Sequence, residues 1–359
     1  MTQQVGSAGS FLRKPAPPAA PPPPTFRPPL PPSALGVPDA VPPPLPAAPR
    51  RLSFHGTGGT LFGIHVVNVL FTVLTLGVYY FWGKTRIRRY LFGESAFEGD
   101  RFAYHGTPQE LFLGFAKAFV VFFLPIVVLT VVRDVLDVGP TIKGAAALSI
   151  SVLFLMFLPV AMVGARRYRL SRTSWRGIRF SFRGAAFEFV KIFVKGTFLT
   201  GLTFGLYYPF FVTRRQAFMI SNSYFGNERF DFDGRGRELF GRFLLSVLLT
   251  LPTLGLCWVW FLAGKRRFFW EHTTFGAARF GSTVTGAALL GLWIVNAILL
   301  VCTLGLAWPW VRARNINFAF RYLALDGSLD LERIRQQAQQ ASATGEGLAG
   351  FLDTGFDLG

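Results

Sequence analysis

Charged residues are scarce in this sequence, and acidic residues are the scarcest of them. Only 16% of the 359 residues are charged, with 19 Asp and Glu against 37 Lys and Arg, whereas 51% are hydrophobic. A soluble domain normally carries about 25% charged residues. The composition therefore excludes an ordinary soluble protein and predicts a membrane protein. The net charge of +18 does not indicate a nucleic-acid partner, because the basic residues lie between apolar runs.

Residue patterns for catalysis and metal binding are also missing. The two cysteines, Cys257 and Cys302, fall in apolar runs without a Cys-x-x-Cys or a nearby histidine cluster, so a disulfide framework or zinc site is not indicated. The sequence has no nucleotide-binding loop, zinc-protease motif or serine-hydrolase motif. No carboxylate lies deep in an apolar run, where ion-coupled transporters usually place one. We therefore expect no enzyme, no cofactor and no metal.

Three regions divide the chain. Residues 1–50 are rich in proline, which predicts a disordered, extended tail, and residues 326–359 form a polar C-terminal tail. Residues 51–325 are expected to form a multi-pass membrane domain, because they hold six apolar stretches, each of about 20 residues or more, the length needed to cross a bilayer. These stretches are residues 60–83, 111–132, 144–165, 187–213, 243–264 and 280–311.

The sequence repeats with a period near 50 residues. Arg-Phe recurs at Arg101, Arg179, Arg229 and Arg279, with a variant at Arg51, in steps of 50, 78, 50 and 50. Thr-Leu-Gly or Thr-Phe-Gly follows in four copies, and a basic cluster and then an aromatic residue come after it. Five degenerate repeats of one unit are therefore expected, the second with 28 extra residues, since 78 − 50 = 28.

Between the apolar parts, aromatic residues alternate around Gly-Asp or Gly-Asn, as in Ser95 to Gly106. This pattern predicts short β-hairpins, which would rest at the membrane interface because aromatic side chains are favoured there. The expected fold class is thus an all-α integral membrane protein. It has about six hydrophobic segments in five repeats, with interfacial β-hairpins.

The motifs resemble those of a known family. Thr-Leu-Gly-x-Tyr-Tyr-x-Trp at 75–82, Arg-x-Arg-Arg-Tyr at 86–90 and Arg-Phe-x-Tyr-x-Gly-Thr at 101–107 are similar to the bacterial YjgN family, a domain of unknown function. The resemblance covers residues 51–359 and includes the C-terminal ending. It implies a location in the bacterial inner membrane, and it implies no activity or substrate.

Two topologies compete. In one, all six apolar stretches cross the membrane, which leaves the basic loop 214–242 outside, against the positive-inside rule. In the other, each ordinary repeat is a re-entrant pair of half-helices broken at Thr-x-Gly, and every basic loop stays cytoplasmic. The insertion in the second repeat would then lengthen its half-helices into one full hairpin with an external loop at 133–143.

Candidate site residues are the basic groups in or beside the apolar runs, because charges inside a bilayer are costly. They could contact a ligand or anionic lipid, or they could simply extend their charged ends to the interface. A second set shares registers suited to helix packing. The first set is His65, Lys117, Lys191, Lys195, Arg88, Arg89, Arg166 and Arg167, and the second is Asn68, Asn296, Gly77, Gly205, Gly255 and Gly305.

Two functions remain open from the sequence. The first is a structural or interaction role at the inner membrane, with anionic lipids as partners and with a second copy or another membrane protein as protein partner. The second is a passive channel or transporter for a small, anionic solute. A continuous polar cavity would favour transport, and interiors packed with Phe, Leu and Val would oppose it.

Overall fold

One order of elements occurs five times in the computed structural model, which describes residues 50–135, 139–328 and Ile334. Each unit runs strand, helix, turn, helix, strand. The proline-rich segment lies outside the described residues except for Arg50, and the polar tail lies outside them except for 326–328 and Ile334.

The strands are short, with five residues in most strands that open a unit and three in most that close one. They are β1 Arg50–Phe54, β2 Ser95–Phe97, β3 Asp100–Tyr104, β4 Thr173–Trp175, β5 Ile178–Phe182, β6 Ser223–Phe225, β7 Glu228–Phe232, β8 Thr273–Phe275, β9 Ala278–Ser282 and β10 Leu323–Asp326. The helices are α1 Gly58–Leu74, α2 Tyr80–Gly93, α3 Pro108–Ala118, α4 Leu124–Asp134, α5 Pro140–Ser171, α6 Ala186–Leu202, α7 Tyr208–Ser221, α8 Gly236–Leu248, α9 Cys257–Glu271, α10 Gly286–Cys302 and α11 Trp308–Arg321.

The ten strands close into one antiparallel barrel. Every strand pairs with its sequence neighbours, and β1 pairs with β10, with Arg51 opposite Ala324. The all-α fold class is therefore wrong: the hairpins do not lie separately but share one ladder. The physical reason is that an isolated two-stranded hairpin is only marginally stable, whereas closure leaves no strand edge unpaired.

Two-residue turns join the strands at one end of the barrel. Glu98 and Gly99 both have positive φ, as do Arg176 and Gly177, and this is the geometry that suits the twist of a tight hairpin. At the other end each opening strand leads into a helix. All helices therefore leave the barrel at the end opposite the turns.

In four units the two helices meet at the Thr-x-Gly sequence. In the first, Leu76 and Gly77 have φ of 50° and 94°, and the Gly77 N–H donates to the carbonyl of Thr72. The Thr75 hydroxyl donates to the carbonyl of Phe71 and accepts the N–H of Tyr79. The threonine thus ends one helix and starts the next, so the apolar stretch becomes a helical hairpin and not one span.

The second unit differs in length. Its first arm runs from Pro108 to Asp134 through a π-helical segment, Phe119–Phe123, and its second arm is α5. Among the described residues, these two are the helices long and apolar enough to cross a membrane. Of the two competing topologies, the one in which all six apolar stretches cross the membrane is therefore wrong, because Thr-x-Gly breaks the others into shorter pieces.

The helices form a second closed ring beside the barrel. Each hairpin packs against its neighbours, and α1 of the first unit packs against α11 of the last. The first helix of each of the five units buries one side chain at the same position of the repeat, next to the barrel. These side chains are Leu61, Leu111, Phe189, Leu239 and Leu289.

Candidate functional site: the aromatic barrel and the hairpins

The barrel interior is built by the second residue of each Arg-Phe motif. Phe102 lies opposite Trp175, Phe180 opposite Phe225, and Phe230 opposite Phe275 across the ladder. Alternation along a strand sends these side chains inward and the motif arginines outward. The aromatic rings contact one another around the barrel, with centroids 4.5 Å apart for Phe230 and Phe275 and 4.7 Å for Phe180 and Phe225.

The aromatic lining is interrupted where the first and last strands meet. Leu52 of β1 and Leu325 of β10 occupy the places that phenylalanine or tryptophan holds in the other hairpins. The interior holds a half-enclosed cavity of about 140 Å³. Its lining is apolar except for Arg50, whose guanidinium lies 2.9 Å from the Glu98 carboxylate.

Ile334 packs into the same aromatic cluster. Only 7% of the residue is exposed, and its neighbours in the cluster are Trp175, Phe225 and Phe275. The isoleucine comes eight positions after Asp326, the last residue of β10 (334 − 326 = 8). A residue from the C-terminal segment therefore belongs to the barrel core.

The hairpins carry exposed apolar surface toward their tips. The tip residues are almost fully exposed, at 96% for Leu76 and 99% for Phe204. Val66, Val69 and Leu70 are exposed along the same hairpin as Leu76. Soluble proteins rarely leave so large a continuous apolar surface uncovered.

The predicted basic site residues do not converge on one place. Arg88 donates to the Tyr104 hydroxyl at 3.2 Å, Arg166 to the Ser223 hydroxyl at 3.2 Å and Arg167 to the Gly184 carbonyl at 2.8 Å. Each of these bonds joins one unit to the next. These arginines therefore hold the ring of units together, whereas Arg89 is exposed.

The candidate lysines lie on the outer surface. Lys117 and Lys195 are exposed at equivalent positions of α3 and α6. The Lys191 amine lies 4.5 Å from the centre of the Phe187 ring. His65 is half-buried on α1. The arrangement suits lysine heads that reach water past an apolar stem.

The asparagine register lies inside the hairpins, where their two helices cross. The Asn68 amide donates to the Gly83 carbonyl at 3.2 Å, and the Asn296 amide donates to the Asn315 side chain at 2.7 Å. Both contacts pack one helix against its partner. The four glycines of the packing set, by contrast, lie in the hairpin turns with nothing within 4 Å of an added Cβ, so the structure gives them a turn conformation and no helix contact. These are Gly77, Gly205, Gly255 and Gly305.

The barrel lining is the site that sequence reasoning missed. Its signal was the pair of aromatic residues five positions apart around each turn, such as Phe97 with Phe102 and Trp175 with Phe180. Within residues 50–135 and 139–328, no group of three or more His, Cys, Asp or Glu could hold a metal ion. Because the barrel lining is apolar except for Arg50, the chemistry that it offers is apolar contact.

Comparisons with known proteins agree with the motifs. The family described as "Bacterial protein of unknown function (DUF898)" matches residues 49–262 and 247–351. The chain is 38% identical over 129 residues to inner membrane protein YjgN of Escherichia coli O157:H7, which is 36% of this chain and 30% of that relative. The proteins of the same name from Escherichia coli K12 and Salmonella typhimurium are 36% identical over 129 residues, 36% of this chain and 30% of the relative, and 30% identical over 134 residues, 37% and 31%.

These matches cover less than a third of the length of the curated relatives. No solved structure matches the chain significantly.

Proposed function

Because the chain belongs to the DUF898 family of bacterial proteins, and its relatives are named inner membrane proteins, we propose that it is an inner-membrane protein with a structural or interaction role. The helical hairpins lie in lipid, and the barrel lies in the cytoplasm beside the membrane. Its partners are anionic lipids and a second membrane-protein chain or copy. The catalytic alternative has no support in the residues described above.

The depth of the exposed apolar surface carries this proposal. Eight residue steps separate Val66 from Leu74, the last residue of α1, which is about 12 Å along a helix, and Leu76 lies beyond it at the tip. A bilayer core is about 30 Å thick, so the short hairpins match one leaflet. In the second unit, exposed apolar residues extend from Phe112 to Val135, about 35 Å, which matches the whole core. The chain therefore crosses the membrane twice, once in each arm of the long hairpin, and enters one leaflet with the four short hairpins.

Charge supports a cytoplasmic barrel. The motif arginines Arg101, Arg179, Arg229 and Arg279 lie on the strands, and the basic clusters of the second helices lie next to the barrel. Positively charged segments stay on the cytoplasmic side of inner-membrane proteins. Lys117 and Lys195 occupy equivalent positions on the outer surface within the apolar part of their helices, and their amines reach anionic headgroups past an apolar stem.

A channel is the second candidate, favoured by the closed rings of strands and helices around one axis. The apolar lining of the barrel opposes passage of an anion, because desolvating a charge between phenylalanine rings is costly. The channel would be favoured if the protein lets anions into liposomes and if His65→Ala and Lys191→Ala reduce this flux. Liposomes that contain the inserted protein and remain impermeable to anions would favour the interaction role.

Cysteine accessibility tests the topology. The background carries Cys257→Ser and Cys302→Ser, and single cysteines replace Asn227 in a barrel turn, Leu304 at a short tip and Gly139 at the end of the long hairpin. We expect a membrane-impermeant maleimide to label residue 139 in intact spheroplasts and residue 227 only after permeabilisation. Residue 304 should react only in detergent, because a thiol in hydrocarbon does not form the reactive thiolate.

The tip variant separates the two topologies. Labelling of Leu304→Cys in permeabilised spheroplasts without detergent would contradict burial of the short hairpins in lipid. Labelling of Asn227→Cys from outside would contradict the cytoplasmic barrel.

A further inference from the structure

We propose that the barrel is a receptor for an apolar side chain and that its resident occupant is Ile334, carried by the chain's own segment 329–340. This inference does not depend on membrane topology. It rests on the burial of Ile334 among Trp175, Phe225 and Phe275, which come from three different units. Ile334 therefore belongs to the cluster of side chains in which these three units meet.

The residues next to Ile334 in the sequence are too polar to bury its side chain, so the barrel must do so. The neighbouring residues are Glu332, Arg333, Arg335 and Gln336. No apolar cluster can form among such neighbours, so an isoleucine there would remain exposed without an external pocket. Ile334 is only 7% exposed and belongs to the aromatic cluster of the barrel, which is the burial that docking there would give.

The position where the barrel closes lets the segment reach this place. The other four strand pairs at this end are joined by two-residue turns. Beside β10, β1 occupies the position that a further strand would take. The chain that leaves β10 is therefore tethered eight residues from Ile334 at the mouth of the barrel, which gives the side chain a high effective concentration there.

Space remains beside the occupant. The cavity of about 140 Å³ is lined by Leu52 and Leu325 as well as the aromatic rings, and Ile334 is not part of its lining. An engineered apolar cavity of about 150 Å³ stays dry and binds benzene. The barrel thus has room for a further apolar group beside Ile334.

Alkylation rates test the docking. In the full chain with Cys257→Ser and Cys302→Ser, purified in detergent, Ile334→Cys is compared with Ser328→Cys, an exposed control just before segment 329–340. We expect a water-soluble maleimide to react at least ten times more slowly at residue 334. Equal rates would overturn the proposal and leave the barrel to an external apolar ligand.

Trypsin cleavage after Arg333 and Arg335 gives a second measurement. Here the reference is the unchanged chain, which still carries Ile334. We expect Ile334→Asp to speed cleavage at these two bonds at least tenfold, because a carboxylate cannot dock among phenylalanine rings. Ile334→Val should cleave at the rate of the unchanged chain. If all three chains are cleaved at one rate, Ile334 is not held by the barrel.

Discussion

At the scale of single residues, the absence of a side chain at Gly196 sets how closely α6 and α7 approach. A Cβ at this position would overlap the Phe211 ring of the partner helix, whereas Gly201, one turn further along α6, has nothing within 4 Å. The same substitution should therefore have opposite effects at the two sites.

We expect Gly196→Ala to destabilise the protein by about 1–3 kcal/mol, because an overpacked contact forces side chains or backbone to shift. Gly201→Ala should stabilise it by about 0.5–1 kcal/mol, since alanine is the better helix former. Thermal unfolding in detergent measures both. A lower melting temperature for both variants would show that α6 has no free side at Gly201.

At the same scale, the structure places the residues that the shared registers singled out. The shared register of Asn68 and Asn296 was interpreted as helix packing, and both side chains hydrogen-bond within their hairpins. The glycines of Thr-x-Gly were assigned to packing as well, yet they lie in turns. A shared position in the repeat shows that two residues are equivalent. It does not show which side chains pack against them, because those neighbours are distant in sequence.

At the scale of elements, the Thr-x-Gly turn decides whether an apolar stretch spans or folds back. Thr203 donates to the Leu199 carbonyl at 2.7 Å and accepts the Tyr207 N–H at 3.0 Å. Thr200 only donates, to the Gly196 carbonyl. The two threonines differ in a single bond, the one that starts the second helix.

We expect Thr203→Val to lower the free energy of unfolding by about 1 kcal/mol, because the N–H of Tyr207, the residue just before α7, loses its acceptor, as at a lost helix cap. Thr200→Val should change it by much less. Chemical unfolding in mixed micelles compares the two variants. Equal losses would show that the hydroxyl-to-carbonyl bond, and not the cap, holds the turn.

The elements were partly predictable. The break at Thr-x-Gly and the lengthening of the second unit both follow from the repeat and its 28-residue insertion. The hairpins were also expected from alternating aromatics such as Phe225 and Phe230. Their closure was not, because strands of three to five residues carry no local signal for which other strand completes their pairing.

At the scale of the whole molecule, the pairing of β1 with β10 makes the five units equivalent around the ring. Arg50 lies opposite Leu325, so the start of β1 and the end of β10 are adjacent strand ends. A two-residue linker joins such ends everywhere else at this end of the barrel. The junction between β10 and β1 is therefore equivalent to the four two-residue turns. Each of these five places could hold the two ends of the chain.

Circular permutation follows directly from that equivalence. A chain that runs from Asn227 to Asp326, continues through Gly-Asn into Arg50 and ends at Gly226 keeps every strand pair and helix contact of residues 50–326. We expect its melting temperature to match that of the unpermuted 50–326 chain within a few degrees, since exposed turns tolerate new ends. Opening the chain between Leu254 and Gly255 instead should lower it, because the Thr253 turn is lost. A matching melting temperature would show that the units can be synthesised in a different order and still assemble into the same ring.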